Sequence, residues 1–228
     1  MSKTKSHKED SFENVESVLS RSEQFIENNQ KLLTIIAGSI IIIAAGIWSI
    51  KELYLKPRNI KAQESMFSAQ NYFEKDSFQL ALDGDGNTLG FLKIIDNFGS
   101  TKAGNLANCY TGLCYLHMGK FNEAIKYLKE FSGDDKLLSF VATGAIGDAY
   151  LELGQKDKAI SYYKDATKGE DELTTPVYLM KLGLIYEESG KQEDAVEAYK
   201  LIKDKYKNST EARQIDKYIT RAEFGLKK

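Results

Sequence analysis

Hydrophobic positions fall into three regimes along the chain. First, Phe12, Val15, Val18, Leu19, Ser22, Phe25 and Ile26 recur at helical spacing, with Glu13, Glu16, Glu23 and Glu27 on the other face. This predicts an acidic amphipathic helix, which anionic lipid would repel. Second, "LLTIIAGSIIIIAAGIWSI", Leu32 to Ile50, runs without a charge. At 1.5 Å per residue it reaches roughly 28 Å, close to the hydrocarbon thickness of a bilayer. Third, from residue 60 onward, amphipathic helices alternate with glycine-containing turns, and strand-like alternation is scarce.

The apolar run is read as a membrane span. Lys31 and Lys51 bound it, and Trp48 and Tyr54 stand where interfacial aromatics are expected. A cleaved signal peptide fits less well, because the segment ahead is long and acidic and the run exceeds a usual signal core. The expected organisation is a tail at 1–31, a span at 32–50, a linker containing Pro57 at 51–59, and a helical domain at 60–228. Basic residues near the span are Arg21 and Lys31 before it, and Lys51, Lys56, Arg58 and Lys61 after it. Taken alone, the positive-inside rule puts the helical domain in the cytoplasm, although long domains cross largely regardless of charge.

Within the helical domain one pattern recurs. Gly, Tyr three later, Gly seven later, Ala twelve later and a large apolar or aromatic residue sixteen later appear as Gly112, Tyr115, Gly119, Ala124 and Leu128. They return as Gly147, Tyr150, Gly154, Ala159 and Tyr163, and as Gly183, Tyr186, Gly190, Ala195 and Tyr199. The spacings are 35 and then 36 residues. The first glycine is expected to let two helices cross closely, with the first tyrosine beside it. The second glycine is expected to end the helix in a left-handed conformation. The small alanine belongs at the crossing, and the last residue points toward the next unit. No unit buries its own face alone, so neighbours must stack. The pattern resembles the tetratricopeptide repeat, a helix-turn-helix unit. The fold class expected is therefore all-α: one transmembrane helix, then a solenoid of about three clear repeats, one degenerate repeat beginning near Ala69 and Tyr72, and a capping helix over Thr210 to Leu226.

Candidate chemistry thins out on this frame. The two cysteines, Cys109 and Cys114, lie on different faces of one helix, and His117 completes no tetrahedral set with them. Packing is the reading for all three. "DGDGN", Asp83 to Asn87, alternates like a calcium loop but has Thr88 and Ile94 where that loop needs Gly and Glu, so it is read as a turn. No nucleophile motif, phosphate loop or metal spacing occurs. With 33 acids against 31 bases there is no clustered basic face for nucleic acid. Neither an enzyme, nor a cofactor, nor a small-molecule substrate is expected.

The order of tail, span, linker and repeats resembles the YfgM-like family of ancillary subunits of the bacterial SecYEG translocon. The stretches "FIENNQKLL", "STKAGNLANCYTGLCYL" and "GDAYLELGQKDKAISYYKDA" carry it, the last two looking like anchored repeat proteins of Bacteroidetes-type bacteria. That resemblance implies an inner-membrane protein with a periplasmic repeat domain, working with the translocon or chaperones on emerging polypeptides. The alternatives are an envelope-assembly or cell-division scaffold, and a cytoplasm-facing adaptor. In the repeat family the inner surface uses positions three before, one after and four after the first glycine. Here these are Cys109, Leu113 and Leu116; Gly144, Asp148 and Leu151; Met180, Leu184 and Glu187. They lack the Lys and Asn of a carboxylate clamp. An apolar floor with acidic spots suits an extended hydrophobic segment with some basic character, unless these side chains serve only packing.

Overall fold

The computed structural model describes residues 25–133 and 135–226, in two units that meet at Lys56 and Pro57. In the first unit, α1 spans Gln30–Ser49 and a π-helical turn follows at Ile50–Leu55. The most apolar window here has mean hydropathy 2.3, and none of it is buried. By length and composition this helix can cross a membrane. Residues 51–59, expected as a linker, are helical throughout. Pro57 cannot donate to the carbonyl of Leu53 and crowds it, which accounts for a widened turn just ahead of it. The amphipathic segment expected at 12–26 falls almost wholly outside the described residues.

The second unit is a stack of helices: α2 (Lys56–Glu74), α3 (Phe78–Asp83), α4 (Phe91–Phe98), α5 (Lys102–His117) and α6 (Phe121–Glu130). Then come α7 (Lys136–Glu152), α8 (Lys156–Ala166), α9 (Thr175–Glu188), α10 (Gln192–Lys205) and α11 (Ile215–Gly225). The pairs α5/α6, α7/α8 and α9/α10 are the three clear repeats. Their starts are fixed locally. Thr101 accepts a hydrogen bond from Gly104 N at 3.0 Å, and Asp135 accepts one from Leu138 N at 3.1 Å. Pro176 sits in the first turn of α9. Their ends use Gly119, Gly154 and Gly190 at φ of +73°, +72° and +72°. Past each, the N–H of Lys120, Gln155 or Lys191 reaches back to the carbonyl of Tyr115, Tyr150 or Tyr186 at 2.8 Å. This is the closing bond of a Schellman turn, and it needs the left-handed residue that glycine supplies.

α2, α3 and α4 form the degenerate repeat, which buries Ala62, Met66, Ala69, Leu82, Phe91 and Ile94 with Ala103, Ala107 and Cys114. The "DGDGN" stretch is the turn between α3 and α4. Asp85 accepts from the backbone N–H of Asn87 and Thr88 and from the hydroxyls of Thr88 and Tyr72, at 2.7–3.0 Å. Those bonds hold its carboxyl far below the usual carboxylate range. The carboxylate is therefore a staple for this turn. At the other end, Ser209 caps the final helical stretch by accepting from Ala212 N at 3.2 Å. A 3₁₀ turn at Glu211–Gln214 precedes α11, which packs Ile215, Ile219 and Ala222 inward and leaves Leu226 exposed.

The first glycine of each repeat does permit a close crossing, but the side chain over it is not the expected one. A Cβ on Gly112 would meet Leu128 at 2.5 Å, one on Gly147 would meet Tyr163 at 2.7 Å, and one on Gly183 would meet Tyr199 at 2.1 Å. The residue sixteen later thus covers its own repeat's glycine. The tyrosine three later turns elsewhere: Tyr115 stacks on Tyr127 and Tyr150 on Tyr162. The physical reason is direction, since helical side chains lean toward the helix N-terminus and only the partner helix can deliver a ring onto the bare backbone.

Gly183→Ala tests this crossing. Tyr199 is fully buried, with its hydroxyl bonded to Glu187 at 2.6 Å, so its ring cannot swing away. A loss of roughly 1–3 kcal/mol in urea unfolding is expected, as for other overpacked cores. A variant as stable as the parent would refute the close crossing.

Candidate partner-binding surface

Each inner-surface residue can now be placed. Cys109 is 1% exposed and Gly144 is covered by the Tyr178 ring, so both belong to the core. Cys114 is buried as well, and burial pushes both thiols up to about 12, where thiolate chemistry is suppressed at neutral pH. His117 stacks on Phe78 with ring centres 4.7 Å apart. The cysteine and histidine stretch is a packing element.

The remaining positions form a surface. Leu113, Leu116, Leu151 and Met180 are half-buried and rest on the core, and Leu184 is 43% exposed. Asp148, Leu151 and Leu184 come together in one cleft of about 170 Å³, with Tyr163, Lys181, Ile185 and Glu188 completing it. Its floor is aliphatic; Asp148, Tyr163 and Lys181 are bonded to one another, and Glu188 pairs with Lys156 outside the cleft.

That engagement repeats. Asp148, on α7, accepts a hydrogen bond from Tyr163 of α8 at 2.7 Å and pairs with Lys181 of α9. Glu187, on α9, accepts from Tyr199 of α10 at 2.6 Å and is gripped by Arg221 of α11 through Nε at 2.8 Å and Nη2 at 2.7 Å. In both places an acid on the first helix of a repeat takes the tyrosine of its second helix and a cation from the next helix along. Lys181 also lies over the rings of Tyr163 and Tyr178, 5.7 Å from each, and Arg221 over Tyr218 at 4.8 Å. The acids stand one and four residues after their glycines; the first repeat has Leu113 and Leu116 at those two places and Leu128 at the tyrosine's, and carries no such triad.

The electrostatics follow from this geometry. Burial first, then the charge of Asp148, pushes the Tyr163 phenol far above its ordinary value, and burial with the bond to Glu187 does the same for Tyr199. For Glu187, burial opposes ionisation. Hydrogen bonds from Arg221 and Tyr199, with the Arg221 charge, outweigh it and hold the carboxyl below its usual range. The acidic spots anticipated from sequence are therefore internally neutralised, and they do not call for a basic ligand. Sequence reading missed Lys181, Tyr163 and Arg221. The first two could have been found, because Lys181 stands two before Gly183 on the face of Leu184 and Tyr163 shares its repeat position with Tyr199. Arg221 lies outside the repeat pattern and had no such signal.

Glu187 makes stability depend on pH with a fixed sign. Its folded-state pKa is lowered, so its contribution is complete above the unfolded-state value and disappears as pH falls through the folded-state value. Wild type is expected to exceed Glu187→Gln by about 1 kcal/mol at neutral pH, with the difference shrinking in chemical unfolding as pH falls below the usual glutamate range and through the lowered folded-state value. A difference independent of pH would contradict the role given to Arg221.

Comparisons with known proteins agree with the architecture. Residues 144–210 and residues 110–133 each match a tetratricopeptide repeat model. No match was found among curated proteins. Among solved structures, the chain is similar to the crystal structure of MamA protein, with TM-score 0.53 and 21% identity over 73% of this chain and 88% of that one. It is also similar to a protein described as a kinesin light chain of Podosopora anserina with nearly identical tetratricopeptide-like repeats. There the TM-score is 0.56 and the identity 13%, over 73% of this chain and 87% of that one. At these identities the likeness concerns the fold. Residues 110–133 and 144–210 are tetratricopeptide repeats, set in a helical solenoid.

Proposed function

We propose that the chain is a membrane-anchored scaffold whose repeats hold apolar stretches of other polypeptides, facing the periplasm beside the protein translocon. The tetratricopeptide repeats themselves imply a protein-protein interaction scaffold, and such repeats are generally non-catalytic. The observation that carries the finer reading is the row Leu113, Leu116, Leu151 and Leu184 beside acids that are already paired. A surface that is aliphatic and locally neutral gains most from burying hydrophobic side chains and discriminates little among them. This is the chemistry of a holder of unfolded or emerging chains rather than of a reader of one charged motif. The membrane side of the proposal rests on α1, whose Ile40, Ile41, Ile42 and Ile43 are 61–73% exposed, as a lipid-facing helix requires.

One observation favours a second reading. The excess of Lys51, Lys56, Arg58 and Lys61 after the span supports a cytoplasm-facing adaptor using the same cleft. Topology separates the two. With an epitope after Lys228 and protease added to intact spheroplasts, the periplasmic reading expects loss of the epitope while a cytoplasmic control stays whole. Protection until lysis selects the adaptor.

Leu151→Glu with Leu184→Glu tests the cleft. Site-specific crosslinking from the folded double variant to a translocating apolar segment is expected to fall at least about tenfold, given two charges placed where aliphatic surface is to be buried. Undiminished crosslinking would remove this surface from the mechanism.

A further inference from the structure

α2 opens the stack, and its two faces are used differently. The inner face is held at several places. Ala62, Met66 and Ala69 are buried in the degenerate repeat. Asn59 accepts a hydrogen bond from Ala103 N at 3.0 Å, and Arg58 donates to the carbonyl of Asn97. The outer face carries Ile60, 49% exposed, and Phe67, 69% exposed. These two stand seven residues apart, so they share a stripe roughly 140° around the helix from the line of Ala62, Met66 and Ala69. The first unit of a stack has no neighbour to cover it, and it needs a polar outer face if nothing lies beyond. Here that face has an isoleucine and a phenylalanine open to solvent, at the spacing of a coiled-coil seam.

The polar residues beside the stripe say what fits it. Gln63 and Glu64 are both exposed and flank it on opposite sides, about 50° each way. We propose that α2 pairs with α2 of a second copy of this chain, parallel and in register, about a two-fold axis running along the helix pair. Ile60 and Phe67 then meet their own counterparts. The axis sets Gln63 of each copy opposite Glu64 of the other, where the amide can donate to the carboxylate. Seven residues further on, Gln70 and Asn71 meet in the same way. The antiparallel alternative that lays Ile60 against Phe67 brings the two Glu64 carboxylates together instead, and like charge disfavours it. Two apolar side chains from each copy fall well short of the about 800 Å² per partner of a standard interface, so association free in solution is weak. The pairing therefore rests on the membrane-anchored reading above. Copies held by α1 in one membrane meet at a raised effective concentration, and α2 follows the span directly in sequence, which favours the parallel sense.

The test uses the full chain in native membrane vesicles, with single cysteines introduced along α2 and mild oxidation. Cys109 and Cys114 are buried and stay out of the reaction. Ile60→Cys and Phe67→Cys are expected to form disulfide-linked dimers at least about tenfold faster than Lys61→Cys, because only the seam brings identical positions within disulfide reach. Adding Phe67→Glu to Ile60→Cys should abolish the crosslink and leave the melting temperature unchanged, since Phe67 lies outside the core. Seam crosslinking no faster than that of Lys61→Cys overturns the proposal, and so does crosslinking that Phe67→Glu leaves intact. When Ile60→Cys and Phe67→Cys chains are mixed, a mixed disulfide that outruns the matched ones would show the antiparallel pair and overturn it equally. A crosslinked product of another mass would give the face to a different protein, with the same consequence. Alkaline carbonate extraction of the same vesicles reads the anchor separately. Chain that stays in the membrane without seam crosslinks refutes the pairing alone, whereas chain released by carbonate refutes the anchor and the tethered pair with it.

Discussion

The repeat unit depends on one constraint: a backbone without a side chain must lie under a large buried one. Gly112 under Leu128, Gly147 under Tyr163 and Gly183 under Tyr199 bring the two helices of each repeat into contact closer than any Cβ would allow. With Tyr163 and Tyr199 pinned there, their hydroxyls emerge at the edge of the crossing, where an acid from the first helix accepts from each. A buried phenol bonded to a carboxylate then leaves a partly desolvated negative charge, and the next helix must answer with a cation, Lys181 or Arg221. Packing within a repeat and pairing between repeats are consequences of the same glycine.

This chain of requirements explains why the inner surface is polar yet internally matched. The acids are not free to recruit a basic ligand, because removing either cation would strand a charge against a half-buried wall. What remains available to a partner is the aliphatic row. Affinity in such a groove comes from area and complementarity, and both are modest in a cleft of about 170 Å³. On the proposed reading, weak capture suits a scaffold that must release what it holds.

The helical class, the repeat period, the helix-ending glycines and the apolar run were legible in the sequence because each is a local signal: a periodicity, a φ preference or a composition. Of the inner-surface positions, Asp148, Leu151 and Leu184 meet in one cleft. Other features were not legible, for physical reasons. Cys109 and Gly144 occupy inner-surface positions by number yet are core: Cys109 joins the cluster of the repeats, and Tyr178 of α9 lies across Gly144. Which residue covers the crossing glycine is set by the direction in which helical side chains lean, not by which tyrosine stands nearer in sequence. The Glu187–Arg221 pair joins positions 34 apart on helices that belong to no common pattern. The helical conformation of 51–59 was hidden by Pro57, a residue that reads as a breaker but is tolerated where a π turn absorbs its missing donor.

Anchoring, on the proposed reading, changes what a weak surface can do. A groove tethered to the membrane meets segments that also emerge at the membrane, so encounter depends on an effective concentration set by the tether rather than on bulk dilution. At an effective concentration near millimolar, a site with a dissociation constant near millimolar is about half occupied, and a second weak contact on the same chain multiplies rather than adds. One strong site could not combine that retention with rapid exchange.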